Sequence, residues 1–71
     1  MSNAERVVRE IIRLNGGDTY APISRDALRM LTMPIYAATG ANGALFGFRK
    51  PWMVKDGDMR CLTDAARVRI R

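Results

Sequence analysis

Residues 52–62 read WMVKDGDMRCL, two short runs of β-forming side chains around an Asp-Gly dipeptide. Asp-Gly between such runs is among the strongest local signals for a β-hairpin. A two-residue turn at Asp56-Gly57 sets Lys55 opposite Asp58, Val54 opposite Met59, Met53 opposite Arg60 and Trp52 opposite Cys61. Because side chains alternate across a sheet, this register gathers Trp52, Val54, Met59 and Cys61 on one face and puts the Lys55–Asp58 pair on the other. A lone hairpin is marginal in water, so its apolar face calls for a helix to cover it.

The chain supplies that helix at its start, in SNAERVVREIIRL over residues 2–14. Ser2 and Glu5 have the spacing of a capping box, which satisfies orphan backbone donors of the first turn. Ala4, Val7, Val8, Ile11 and Leu14 recur at the helical period and form an apolar stripe, widened by Ile12. Asn15-Gly16-Gly17 then ends the helix, since glycine accepts the left-handed geometry found there. Opposite the stripe, Arg6, Arg9 and Arg13 fall within about 60° of one another on a wheel of ~100° per residue. Glu5 with Arg9, and Arg6 with Glu10, have i,i+4 spacing for ion pairs. Such a row is either a solvated face or a surface for phosphate or an acidic protein.

Between these two elements, Thr19–Ile23 contains Pro22 and reads as an edge strand or extended entry. A second helix begins at Ser24, with Ile23 and Leu28 spaced as a hydrophobic staple. Ala27, Leu28 and Leu31 face inward, Arg25 and Arg29 outward, and Pro34 ends this helix or opens another. Residues 34–43 admit a short helix, or a hairpin of Tyr36–Ala41 with Ala44–Arg49 about Asn42-Gly43; the turn residues favour the hairpin. In the tail, Val68 and Ile70 alternate with Arg67, Arg69 and Arg71, as in a strand with one wet basic face; Thr63 as the cap of a last helix is the alternative. The expectation is a single α+β domain over residues 1–71, with an N-terminal amphipathic helix and a short second helix packed on a small antiparallel sheet. Its expected core is Val7, Val8, Ile11, Leu14, Leu28, Leu31, Phe46, Trp52, Val54 and Met59.

Composition narrows the function. The chain has 71 residues and a net charge of +5, with no histidine and one cysteine. No His/Cys zinc set, Ser-His pair or Cys-His pair can be assembled, and no internal disulfide can form. An enzyme, a cofactor and a metal are therefore not expected, and the lone cysteine suits an intracellular compartment. The start carries acid early and lacks the long apolar core of a secretory signal. The uncharged run Met30–Phe48 is interrupted by Pro34 and several glycines, so it reads as core rather than as a membrane span. Ten of the twelve basic residues are arginine, which suits bidentate contact with phosphate or carboxylate. Residues 1–35 balance to +1 and residues 36–71 to +4, so the excess falls on the expected sheet half.

Other patterns carry less. Phe46-Gly47-Phe48 before Arg49-Lys50 has the look of an aromatic RNA-binding strand, but no second aromatic strand accompanies it, and core packing is the simpler reading. Asp56 and Asp58 belong to a turn, where aspartate has local hydrogen-bonding uses. Cys61 reads as a small buried apolar group. The order of elements also fits a winged helix, with Ser24–Leu31 and Pro34–Thr39 as the helix-turn-helix and Lys55–Asp58 as the wing tip. Its second helix would offer no Arg, Lys, Asn or Gln to read a base edge.

A basic, arginine-rich, cysteine-poor chain of this length that opens MSNAERVVREIIRLN resembles the small phage-encoded regulators that bind host RNA polymerase. The resemblance implies a viral protein in the bacterial cytoplasm that docks on polymerase, inhibits initiation and assists antitermination; it assigns no residue a role. The expected function is thus a non-enzymatic transcription regulator acting through RNA polymerase, with nascent RNA or DNA nearby. A winged-helix-like DNA-binding repressor and a single-stranded RNA-binding or ribosome-associated protein are the alternatives. The candidate partner-binding residues are Arg6, Arg9 and Arg13 on the first helix and Arg49, Lys50, Arg67 and Arg69 on the sheet side.

Overall fold

The structure is a computed structural model that describes residues 2–38 and 51–70. Its elements are α1 (Asn3–Leu14), β1 (Ile23–Ser24), α2 (Arg25–Ala37), β2 (Met53–Asp56), β3 (Met59–Leu62) and α3 (Asp64–Arg69). The strands form one antiparallel sheet in the order β1-β3-β2. The fold is α+β. The expected hairpin at Asn42-Gly43, together with Phe46, Arg49 and Lys50, lies outside the described residues.

α1 forms as its sequence dictates. Ser2 accepts a hydrogen bond from the Glu5 amide at 3.2 Å, and Ala4, Val7, Val8 and Ile11 are buried. At its end the Gly17 amide donates to the Ile12 carbonyl at 2.8 Å and the Gly16 amide to that of Arg13 at 3.1 Å. That pair of bonds is a Schellman closure, and it requires Gly16 at its positive φ of 68°. Leu14, expected in the core, is 57% exposed. It follows the stripe but sits on the final turn, at the flank nearest α2.

α2 starts where expected. Ser24 caps it by accepting from the Ala27 amide at 3.1 Å, and Ile23 is buried with Leu28 packed against the same core. Of the expected Thr19–Ile23 strand only Ile23 is retained, and β1 pairs with the central strand β3, Ile23 with Arg60 and Ser24 with Met59. The helix does not stop at Pro34. It runs through to Ala37, so Tyr36 is helical and not the first residue of a strand. Proline costs a helix the amide bond to residue i−4, here to the Met30 carbonyl, but its fixed φ is helical. With Leu31, Ile35 and Tyr36 packed against the core on either side of it, the helix continues.

The hairpin is present with a different register. Its pairs are Asp56 with Met59, Lys55 with Arg60, Val54 with Cys61 and Met53 with Leu62. The two turn residues are Gly57 and Asp58, one position later than the Asp56-Gly57 turn expected from the sequence. The physical reason is backbone geometry. A turn at Asp56-Gly57 of the expected type needs positive φ at both central residues, whereas Gly57-Asp58 fits the alternative with glycine first. Gly57 has φ 60°, and no described non-glycine residue has a positive φ. In either register Val54, Met59 and Cys61 share one face and Met53 the other, and it is the face of Met53 that packs on the core, contrary to expectation: Met53 and Leu62 are buried, Val54 is 53% exposed, and Met59 and Cys61 are half-buried.

The tail is helical rather than extended. Thr63 Oγ1 accepts from the Ala66 amide at 3.4 Å and donates to the Pro51 carbonyl at 2.6 Å, so one hydroxyl caps α3 and ties it to the approach of β2. Ala66 is completely buried; alanine is both the best helix former and small enough for close approach. The core then consists of Ala4, Val7, Val8, Ile11, Ile23, Trp52, Met53, Leu62 and Ala66, with Leu28 and Leu31 packed at its border.

Candidate partner-binding surface

The arginines of α1 project away from the core. Arg6, Arg9 and Arg13 are all exposed, on the side of the helix opposite Val7, Val8 and Ile11. Their acids pair differently from the i,i+4 scheme. Arg13 meets Glu10 through two hydrogen bonds at 3.0 and 2.8 Å, and Glu5 pairs across the fold with Arg69 at 3.2 Å. Arg9 reaches the Ile70 carbonyl at 3.4 Å. The end of α3 therefore borders the α1 row, and Arg69 belongs to that helical surface rather than to a basic sheet face.

Arg67 is a different kind of residue. Its side chain is 14% exposed. It donates to the Leu62 carbonyl at 2.9 Å and to the Thr19 carbonyl at 3.4 Å, and it pairs with Asp64. Its guanidinium also lies 4.2 Å from the centre of the Tyr20 ring. These contacts hold the segment between α1 and β1 against α3. Together they commit Arg67 to the interior of the fold, in contrast to its expected place on a basic strand. Arg67→Ala should therefore cost about 2–3 kcal/mol, from lost charge-assisted hydrogen bonds and the ring contact. Arg69→Ala, at an exposed pair, should cost within ~1 kcal/mol. Thermal denaturation of both variants checks the contrast, and equal losses would refute it.

The Glu10–Arg13 pair is open to solvent. The hydrogen bond from Arg13, aided by its charge, holds the Glu10 carboxyl below the ordinary carboxylate range and raises the Arg13 guanidinium. A carboxyl depressed in the folded state contributes stability above its unfolded pKa and loses it as pH falls through the folded pKa. An NMR titration of the Glu10 carboxyl should place its midpoint below those of ordinary glutamates, and Arg13→Gln should move it up. An unchanged midpoint would mean that the pair does not persist in solution.

A second feature lies beside the row, and the sequence expectation missed it. An open groove of about 500 Å³ runs between α1 and α2, lined by Leu14, Ala27, Met30, Leu31, Pro34 and Ile35, with Glu10 and Arg13 along its α1 wall. Met30 is 74% and Met33 54% exposed. The signal for it lies in the uncharged run beginning at Met30, which the sequence reading gives to the core.

Among the described residues, no cluster of three or more His, Cys, Asp or Glu side chains could hold a metal ion, and no helix is long and apolar enough to cross a membrane. No protein-family model matches the chain, and no curated protein or solved structure matches it.

Proposed function

We infer that this chain is a small non-enzymatic transcription regulator that works by docking on RNA polymerase. The observation that carries the docking surface is the exposed row Arg6, Arg9 and Arg13, bordered by Arg69 at the end of α3. Arginine forks present paired donors suited to carboxylates, and surface charge of one sign speeds encounter with a complementary partner. The choice of polymerase as partner, and inhibition of initiation with antitermination as outcome, rests on the resemblance of the opening segment to phage-encoded regulators.

The test is capture of purified RNA polymerase by the tagged protein at low and raised salt. Arg6→Glu with Arg13→Glu should weaken capture about tenfold or more, equivalent to ~1.4 kcal/mol. Its melting temperature should stay near that of the unmutated protein, since exposed substitutions shift stability by roughly 0.5 kcal/mol. Absence of capture by the folded protein at low salt ends the polymerase reading.

A DNA-binding repressor remains the second reading, favoured by the sheet order β1-β3-β2 after a helix, strand, helix sequence. Two observations weigh against it. α2 is one continuous helix across Pro34, not the two expected of a helix-turn-helix, and the hairpin tip exposes Asp56 and Asp58, which would face phosphate with negative charge. A gel shift with duplex DNA at low salt discriminates, because phosphate-driven affinity falls steeply as salt rises. Stacking of Trp52 on a single-stranded base is disfavoured, as Trp52 is 7% exposed within the core.

A further inference from the structure

We propose that Arg67 is a positioning residue of the arginine surface: its inward clamp seats α3, and the seated α3 is what stands Arg69 beside the row on α1. The proposal deepens the reading above and rests on its premise that these arginines meet carboxylates of the partner.

α3 has little to hold it in place by itself. It has six residues, well below the ~12–15 at which an isolated helix becomes even marginally stable in water. Its apolar anchoring is slight: Ala66 is completely buried but small, Val68 is 61% exposed, and Ile70 at its end is only partly buried. The Thr63 hydroxyl fastens the start of α3 to the Pro51 carbonyl and leaves the later residues to be held by other means. The Glu5–Arg69 pair is a weak fastening, since the Arg69 side chain is 62% exposed and exposed ion pairs contribute little. The Arg9 contact with the Ile70 carbonyl, at 3.4 Å, is long for a hydrogen bond.

Arg67 supplies the missing fastening. Its side chain is 14% exposed, donates to the Leu62 and Thr19 carbonyls, and lies against the Tyr20 ring. One guanidinium therefore joins α3 to the end of β3 and to the segment after α1. A planar fork can make these carbonyl and ring contacts together, where the ammonium of lysine is a single point charge. Arg67 and Arg69 are two positions apart, so at ~100° per residue they project to nearly opposite sides of α3. Fixing Arg67 against Tyr20 and the two carbonyls thus turns Arg69 toward Glu5, at the border of α1. Arg67 serves the surface through Arg69 and does not itself face the partner.

The test uses the full chain, with an oligoglutamate peptide standing in for the partner's carboxylates. Peptide affinity is measured at low salt, and NOEs are measured between the Arg69 side chain and Glu5. Arg67→Lys keeps the charge and removes the fork; Arg67→Ala removes both. In each, the Arg69–Glu5 NOEs should fade while the Trp52 indole resonance stays that of the folded protein. Arg69→Gln should lower peptide affinity about threefold, the size of one exposed charge contact. Arg67→Lys should lower it as much, and the double variant should bind no more weakly than either single one, because the two residues act as a unit.

Losses that multiply in the double variant would overturn the proposal. So would undiminished NOEs in the Arg67 variants, or undiminished affinity in Arg67→Lys or Arg69→Gln. Unfolding of both Arg67 variants would do the same, since Arg67 would then be a support of the whole fold. A chain that binds no oligoglutamate removes the carboxylate premise and the proposal with it. Polymerase capture separates the two readings. Capture lost by Arg6→Glu/Arg13→Glu yet unchanged in Arg69→Gln keeps polymerase and removes this role for Arg67. The expected peptide results without polymerase capture keep the role and remove polymerase.

Discussion

Trp52→Ala should destabilise this protein by about 3–5 kcal/mol, the usual cost of truncating a buried aromatic side chain to a methyl group. Trp52 is 7% exposed and belongs to one cluster with Val7, Val8 and Ile11 of α1 and Leu62 of β3. Its backbone is equally engaged, since its carbonyl accepts from the Thr63 amide at 2.9 Å and so extends the hairpin ladder toward α3. A domain of this size has a total stability of roughly 4–10 kcal/mol at ~0.05–0.15 kcal/mol per residue. The substitution therefore removes about a third of the stability or more. Circular dichroism melts should show the variant unfolded, or melting many degrees lower. A variant that melts cooperatively within a few degrees of the unmutated protein would refute this placement of Trp52.

The next largest effect separates two neighbouring residues of one strand. Met53→Ala should cost about 2–5 kcal/mol, because Met53 faces the core opposite Leu62. Val54→Ala should cost within roughly 0.5 kcal/mol, because Val54 is 53% exposed on the other face. The sequence expectation, which turns the face of Val54, Met59 and Cys61 inward, reverses that order. Denaturant melts of the two single variants thus read directly which face of the hairpin is buried. If Val54→Ala proves the costlier, the face of Val54 and Cys61, not that of Met53, packs on the core.

The hairpin illustrates how far local sequence reasoning carries. The existence of two strands around a tight turn was legible, since β-forming side chains flank a dipeptide that few other structures accommodate. The register was not, because Asp56-Gly57 and Gly57-Asp58 both offer glycine a central position. A one-residue shift of the turn moves every cross-strand pairing by two residues, so the partners change while Val54, Met59 and Cys61 stay together on one face; which face is buried is decided by what packs on it. The tail shows the same limit. Alternation of Val68 and Ile70 with arginine resembles a strand, yet a capping threonine and two alanines favour a helix. Burial of Ala66 against the core decides between them.

For the binding surface, Arg6, Arg9 and Arg13 were legible because helical periodicity fixes which side chains point away from an apolar stripe. The roles of Arg67 and Arg69 were not. Both sit in a basic tail and look equivalent in sequence, but one is folded inward against Tyr20 and backbone carbonyls, while the other pairs with Glu5 at the surface. The division of charge into a balanced helix half and a basic sheet half also fails in three dimensions. α3 returns Arg69 to the side of α1, so the tail's charge adds to the helical row.

By itself, the sequence determined the capped amphipathic first helix, its glycine closure, the start of the second helix at Ser24, and a hairpin after Pro51. Each depends on interactions between residues a few positions apart. Only the tertiary structure decided the turn register, the continuation of α2 through Pro34, the helical tail, and the groove beside the arginine row. In those places two local conformations were close in energy. The choice fell to burial of Met53, Leu62, Ile35 and Ala66 against residues distant in the chain.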